Sequence, residues 1–166
     1  MSEQITGSGP QQAGMLTMEP IGQVVGGRDE PYHDHWGPET AVIRIRADRF
    51  TPASVVGLAE FSHLEVVFYF DKVDPAAIEY GARHPRGNTD WPKVGIFAHR
   101  GPNRPNRIGV SRCALLAVDG LDLRVGGLDA IDGTPVLDVK PYLSGFGPRG
   151  EVREPAWAAD LMRVYY

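Results

Sequence analysis

Apolar residues in this chain come in short alternating runs, and most runs stop at glycine, proline or an Asp-Gly pair. In Leu64–Phe70 the residues Leu64, Val66, Phe68 and Phe70 fall on one face, the period of a half-buried strand. Ala41, Ile43 and Ile45 alternate with Val42, Arg44 and Arg46. Leu121, Leu123 and Val125 alternate with Asp122 and Arg124, just past the hairpin signal Asp119-Gly120. Glu19–Gly26, Val94–His99, Val136–Val139 and a long, bulged Ile108–Val118 read as further strands. Helical signals are brief. Thr51-Pro52 opens one short helix to Glu60, Asp74-Pro75 opens another to Tyr80, and Trp157, Leu161 and Val164 predict a helix within Pro155–Tyr166. With 20 glycines, 14 prolines and no long helical crossover, the expected fold is mostly β: a small β-barrel of about seven strands with short connecting helices and a C-terminal helix.

Residues 1–17 are rich in Gly, Gln and Ser and read as a disordered tail, with 18–166 as one domain. No apolar run approaches the ~18 residues that span a bilayer. The N-terminus has no basic stretch followed by an apolar one. The single cysteine, Cys113, excludes an internal disulfide and a cysteine-based zinc site. Together these features predict a cytoplasmic protein. Cys113 precedes Ala114-Leu115-Leu116 and reads as a buried structural thiol. His33 and His35 flank Asp34 without a third ligand, so no metal is expected. The glycine fingerprints of dinucleotide and phosphate loops and the Gly-x-Ser-x-Gly elbow are all missing.

The formal net charge is −4, but its distribution is uneven. Arg83, Arg86, Lys93, Arg100, Arg104, Arg107 and Arg112 stand against Asp90 alone in residues 83–112. A local positive site on an acidic body suits a confined anion such as a phosphate, a carboxylate or a stretch of nucleic acid.

Four segments occur in order: Phe61-Ser62-His63-Leu64; His84-Pro85-Arg86-Gly87; Gly95–Arg100 running into Asn103–Ser111; and Asp129–Tyr142. Over about Glu19–Tyr142 they resemble the TrmO (TsaA-like) family. The resemblance implies a small homodimeric β-barrel that binds S-adenosylmethionine outside a Rossmann fold. It further implies methylation of the exocyclic nitrogen of a threonylcarbamoyl-modified adenosine in tRNA. Carried onto this sequence, it places cofactor contacts at Trp36, Asp71, Lys72, Arg100, Val110, Asp129, Ile131, Asp132, Gly133 and Thr134. Substrate contacts fall at Arg86, Arg104, Asn106 and Arg107, and catalytic roles at Asp138, Lys140 and Tyr142.

The residue chemistry is compatible. Arg100 can grip a carboxylate bidentately, Asp129 or Asp132 can accept from ribose hydroxyls, and the turn at Gly133 offers backbone groups to an adenine edge. Trp36 can stack on a base, and Lys93, Arg104 and Arg107 can meet phosphates. Asp138 or Tyr142 can take a proton, with Lys140 as electrostatic helper; Asp138 reads equally as a structural carboxylate. The sequence departs from the family at Asp34–Gly37, where a Pro-Arg-Gln element is usual. It departs again at Glu65, where tryptophan is common, and at Arg107, where proline is common. Two other readings stay open: a barrel that binds cofactor or RNA without turnover, and a methyltransferase acting on a small metabolite.

Overall fold

The computed structural model describes residues 14–166. Most of the expected tail lies outside the described residues; Gly14–Glu19 are exposed and belong to no regular element. Alternation does what the sequence pattern requires. In β3 (His63–Tyr69), Leu64, Val66 and Phe68 turn inward and are buried, while Glu65, Val67 and Tyr69 turn out. On one side β3 pairs with β6 (Ile108–Asp119), and on the other with β8 (Pro135–Pro141). The barrel closes through β7 (Asp122–Gly126), β2 (Thr40–Ile45) and β1 (Gly22–Val25), in the order β1-β2-β7-β6-β3-β8. Every neighbouring pair is antiparallel.

Phe68, Ile43, Leu64, Leu123, Val24, Val66, Val125 and Val136 fill the interior and are all essentially inaccessible. Each such side chain contributes roughly 1.5–3 kcal/mol on leaving water. Phe70 lies just past β3 and packs edge-on against Phe68, ring centres 5.2 Å apart.

The β2–β3 connection, residues 46–62, lies at one end of the barrel, and the registers place three other long connections together at the opposite mouth. These are the β1–β2 loop, the segment 70–107 between β3 and β6, and the β7–β8 segment 127–134. The segment 70–107 carries its own two-stranded ribbon, β4 (Ala82–Arg83) with β5 (Val94–Gly95). Among the described residues there are therefore eight strands, six of them in the barrel. Beyond β8 the chain ends up back at the mouth. There α1 (Ala156–Met162) sets Trp157 6.4 Å from Trp91, and His35 N and Trp36 N donate to Val164 O and Tyr165 O.

Several expected elements are shorter. Val94–His99 is not one strand: after Gly95 the chain turns through a 3-10 helix, Ile96–Ala98, closed by His99 N donating to Ile96 O. The helix expected over Pro52–Glu60 is two 3-10 turns, Pro52–Val55 and Leu58–Glu60, separated at Gly57, whose φ of 82° no helix tolerates. The second is a single turn, Pro75–Ala77, capped by Asp74. The C-terminal helix stops at Met162.

Two register irregularities matter. The predicted bulge in β6 appears against β7 between Leu115 and Ala117. A second in β8 pairs Val136 with Phe68 but Asp138 with Val67. Simple alternation would put Asp138 on the core face with Val136. The extra residue turns it outward instead, where a carboxylate meets water.

Candidate functional site

At the mouth, the segment 127–134 is pinned to β1. Asp132 N donates to Arg28 O (2.7 Å), Gly133 N to Val24 O (2.8 Å), Thr134 N to Ile131 O (3.1 Å), and Val24 N to Thr134 O (2.9 Å). Gly26 N donates to Asp132 Oδ1 at 2.7 Å. The amides of Asp132, Gly133 and Thr134 are thus all engaged within the fold, which leaves the turn's carbonyls to meet an adenine edge. One oxygen of Asp132 is engaged as well. Gly133 stands at φ 80°, the left-handed conformation that the turn needs.

Asp129 is different. Its Oδ2 accepts from Tyr165 Oη, but its Oδ1 is buried without a partner. Ser111 Oγ, inside the start of β6, is equally buried and unpaired. Burial, and secondarily Asp129, raise the Tyr165 phenol and push Cys113 up to about 12. Cys113 is thus the inert buried thiol that its apolar neighbours suggest. Tyr166 is raised by burial and then by Asp129, with Ser111 and Arg100 pulling the other way. One corner therefore brings Asp129, Ser111, Arg100 and the tyrosine pair within electrostatic reach of one another. Unsatisfied buried polar atoms are rare in folded chains and call for a partner.

The β1–β2 loop forms the rim. Arg28 pairs with Glu39 at 2.9 Å, donates to Asp34 O and His35 O, and lies over the Trp36 ring at 4.3 Å. Trp36 is only 4% exposed. One face of the indole is covered by Arg28, and Trp36 is part of the rim's own packing. Arg86 pairs with Asp34 at 2.7 Å. His35, Arg86 and Arg107 have φ of 62°, 52° and 50°. Such conformations cost non-glycine residues roughly 1–3 kcal/mol each and concentrate at functional sites. A proline cannot adopt that φ, so the loop at Arg107 differs locally from one built with the family's usual proline.

The arginine cluster divides by role. Arg104 donates to His99 O (2.8 Å), and Arg107 donates to Val73 O (3.1 Å) with its guanidinium 4.7 Å from the Tyr69 ring centre. These two brace the segment 70–107, beside exposed Asp71 and Lys72. Lys93, Arg100, Asn106 and Arg112 are exposed.

The expected catalytic set stands on the outer wall of β8. Asp138 pairs with Lys140, and Arg112 lies 4.8 Å from the Tyr142 ring centre and 3.7 Å from Glu65. The hydrogen bond to Asp138 raises Lys140. Val110, Val67 and Asp138 form one outward row across β6, β3 and β8. Arg100 Nη2 donates to Val110 O at 2.8 Å. Arg100 thus links the mouth to the outer row, and the β8 set does not share the corner of Asp129. Sequence reasoning missed Ser111, Arg28 and Tyr165. An inward serine in an apolar strand was the available signal for Ser111. Nothing local marks the other two. Among the described residues no group of three or more His, Cys, Asp or Glu is arranged for a metal ion, and no helix is long and apolar enough to cross a membrane.

The family model described as tRNA-methyltransferase O N-terminal domain matches residues 29–147. The chain belongs to this TrmO family. A relative from Mus musculus named tRNA (adenine(37)-N6)-methyltransferase is 35% identical over 144 residues, covering 81% of this chain and 32% of that protein. The chain therefore spans about a third of that relative. A protein from Methanothermobacter thermautotrophicus named "Probable S-adenosyl-L-methionine-binding protein" is 37% identical over 114 residues, covering 69% of this chain and 77% of its own length. The crystal structure of TrmO from P. aeruginosa superposes with a TM-score of 0.70 at 24% identity, over 88% of this chain and 63% of that one. That likeness establishes the TrmO barrel.

Proposed function

We propose that this TrmO-family chain binds S-adenosylmethionine at the mouth corner and transfers its methyl group to the exocyclic nitrogen of a tRNA adenosine. The threonylcarbamoyl-modified adenosine is the acceptor implied by the resemblance. The observation that carries the reading is the pair of buried, unpartnered oxygens, Asp129 Oδ1 and Ser111 Oγ, beside an exposed Arg100. That donor and acceptor set fits a ligand with a carboxylate and a ribose diol. The names of the relatives support the same cofactor and reaction class.

The bound cofactor supplies an activated methyl group. The chain's own residues bind and orient. Arg100 keeps its place through Val110 O and directs its remaining donors at the cofactor carboxylate. Asp129 and Ser111 meet the ribose hydroxyls. Holding the acceptor nitrogen near the methyl is the main catalytic contribution, because an in-line transfer gains most from placement. Asp138, tied to Lys140, takes the amine proton if the acceptor lies along the outer row. Exposed Lys93 and Arg112 meet RNA phosphates. The protein acts in the cytoplasm as a homodimer on this reading, and sedimentation velocity tests the dimer.

Calorimetric titration with S-adenosylmethionine, repeated on Arg100→Ala, is the deciding experiment. Saturable binding lost in the variant, followed by methyl incorporation into tRNA that carries the threonylcarbamoyl-adenosine but not yet the methyl group, supports the reading. Absence of binding to the folded protein refutes it.

A further inference from the structure

The ribbon of the segment 70–107 presents two aromatic rings that the fold does not use. Tyr80 is 75% exposed and Phe97 83%. β4 and β5 pair Ala82 with Gly95 and Arg83 with Val94. The ladder continues one step, with Ile96 N donating to Gly81 O at 2.9 Å. Tyr80 directly precedes Gly81 and Phe97 directly follows Ile96 in the 3-10 helix Ile96–Ala98, so both residues stand at this end of the ribbon. Neither ring joins any of the aromatic pairs among the described residues, which are Phe68–Phe70, Trp91–Trp157 and Tyr165–Tyr166.

Their backbone is firmly held. Ile96 and His99, on either side of Phe97, are 2% and 8% exposed. His99 Nε2 lies 3.2 Å from Arg83 O and 3.1 Å from Val94 O. On the other arm, Glu79 N donates to Asn103 O at 3.1 Å, and Glu79 Oε1 accepts from Gly81 N at 2.7 Å. A pinned turn that aims a large ring into water loses little side-chain entropy on binding.

We propose that Tyr80 and Phe97 form a clamp for an unpaired base of an RNA strand, with a flanking phosphate at Lys93. Charge selects this occupant. Residues 83–112 hold seven basic side chains and one acidic, so two copies of this surface repel each other, whereas a polyanion is drawn in. Flat rings beside cations are the standard recognition set for single-stranded nucleic acid. The inference rests on the tRNA reading above and adds to it which side chains hold the loop bases.

The test uses the full chain, a fluorescein-labelled RNA hairpin with a single-stranded loop, and a fully paired RNA duplex, read by anisotropy. Each exposed ring replaced by alanine is expected to weaken hairpin binding about 5-fold or more. The double variant Tyr80→Ala, Phe97→Ala compounds the loss, Phe97→Trp with Tyr80→Phe restores affinity, and duplex binding and the melting temperature stay unchanged. Equal hairpin affinity for the wild type and the double variant overturns the clamp while leaving the tRNA reading standing. A wild type that binds neither RNA overturns the tRNA reading itself. If instead the double variant keeps RNA affinity and loses self-association in sedimentation, the rings belong to a protein contact and the clamp is wrong.

Discussion

Gly109 sits in the Ile-Gly element of the long arginine-rich motif, yet its environment assigns it a packing role. It faces the barrel interior opposite Phe68. A methyl group built on it lies 2.4 Å from Phe68 Cε2, 2.5 Å from Cζ and 2.9 Å from Cδ2. Ordinary carbon–carbon contact is about 3.5 Å or more, so the ring must retreat by about 1 Å. Phe68 is 2% exposed and already meets Phe70 edge to face at 79°. Gly109→Ala therefore overpacks the core at a cost of about 1–3 kcal/mol. The reduced freedom of the unfolded alanine chain offsets about 0.4–1 kcal/mol of that. A net loss of about 1–2 kcal/mol lowers the melting temperature by about 2–8 °C in a chain of this size. It should shift the urea midpoint without changing the slope. Phe68→Leu in the same chain makes room, so the double variant is expected to be more stable than the sum of the single losses predicts, by at least about 0.5 kcal/mol. Melting of Gly109→Ala at or above the wild-type temperature, or strict additivity, refutes the clash.

Other consequences follow from single contacts. Tyr165→Phe removes the donor to Asp129 Oδ2 and leaves both carboxylate oxygens without the partners described; stability should fall by about 1–3 kcal/mol, measured by urea titration, and an unchanged midpoint contradicts the contact. Cys113 is held up to about 12 by burial and then by Asp129, while an unfolded chain ionises its thiol near ~8.5. Its contribution is full below that lower value and is lost as pH climbs toward 12, so the urea midpoint should fall over this window and native Cys113 should resist a thiol reagent at pH ~8 until the chain opens; prompt labelling of folded protein refutes this. Arg107→Pro cannot keep a φ of 50° and loses the hydrogen bond from Arg107 N to Arg104 O at 3.0 Å; a loss of about 2 kcal/mol or more is expected by thermal melting, and a neutral result means the loop readily rearranges.

The barrel was legible because its strands advertise themselves. Leu64, Val66 and Phe68 need one buried face, Asp119-Gly120 needs a hairpin, and no connecting segment carries a helical period long enough for a crossover helix. Val94–His99 was misread because its apolar residues satisfy two geometries: Ile96 anchors a tight turn as well as it would a strand, and Phe97 points to water. The arginine cluster was legible as charge but not as roles. Arg104 and Arg107 reach carbonyls brought close only by folding, so their bracing function has no local signature.

Asp138 shows most clearly where linear reading stops. In the string Val136–Leu137–Asp138–Val139–Lys140, strict alternation groups Val136, Asp138 and Lys140 on one face, with a carboxylate in the core. The chain avoids that desolvation by a bulge after Val136, which shifts the register against Phe68 and Val67 and turns Asp138 and Lys140 out together. The same shift sends Val139 inward opposite Val66. A one-residue irregularity thus decides whether Asp138 shares the corner of Asp129 and Ser111 or the outer row of Val67 and Val110. It lies in the row, and Arg100, hydrogen-bonded to Val110 O and felt by Tyr166 at the mouth, is the side chain that joins the two. A methyl donor gripped by Arg100 would therefore face a proton acceptor from the outer wall rather than from the pinned turn at Gly133. This is why loss of Arg100 should abolish cofactor binding and methyl transfer together.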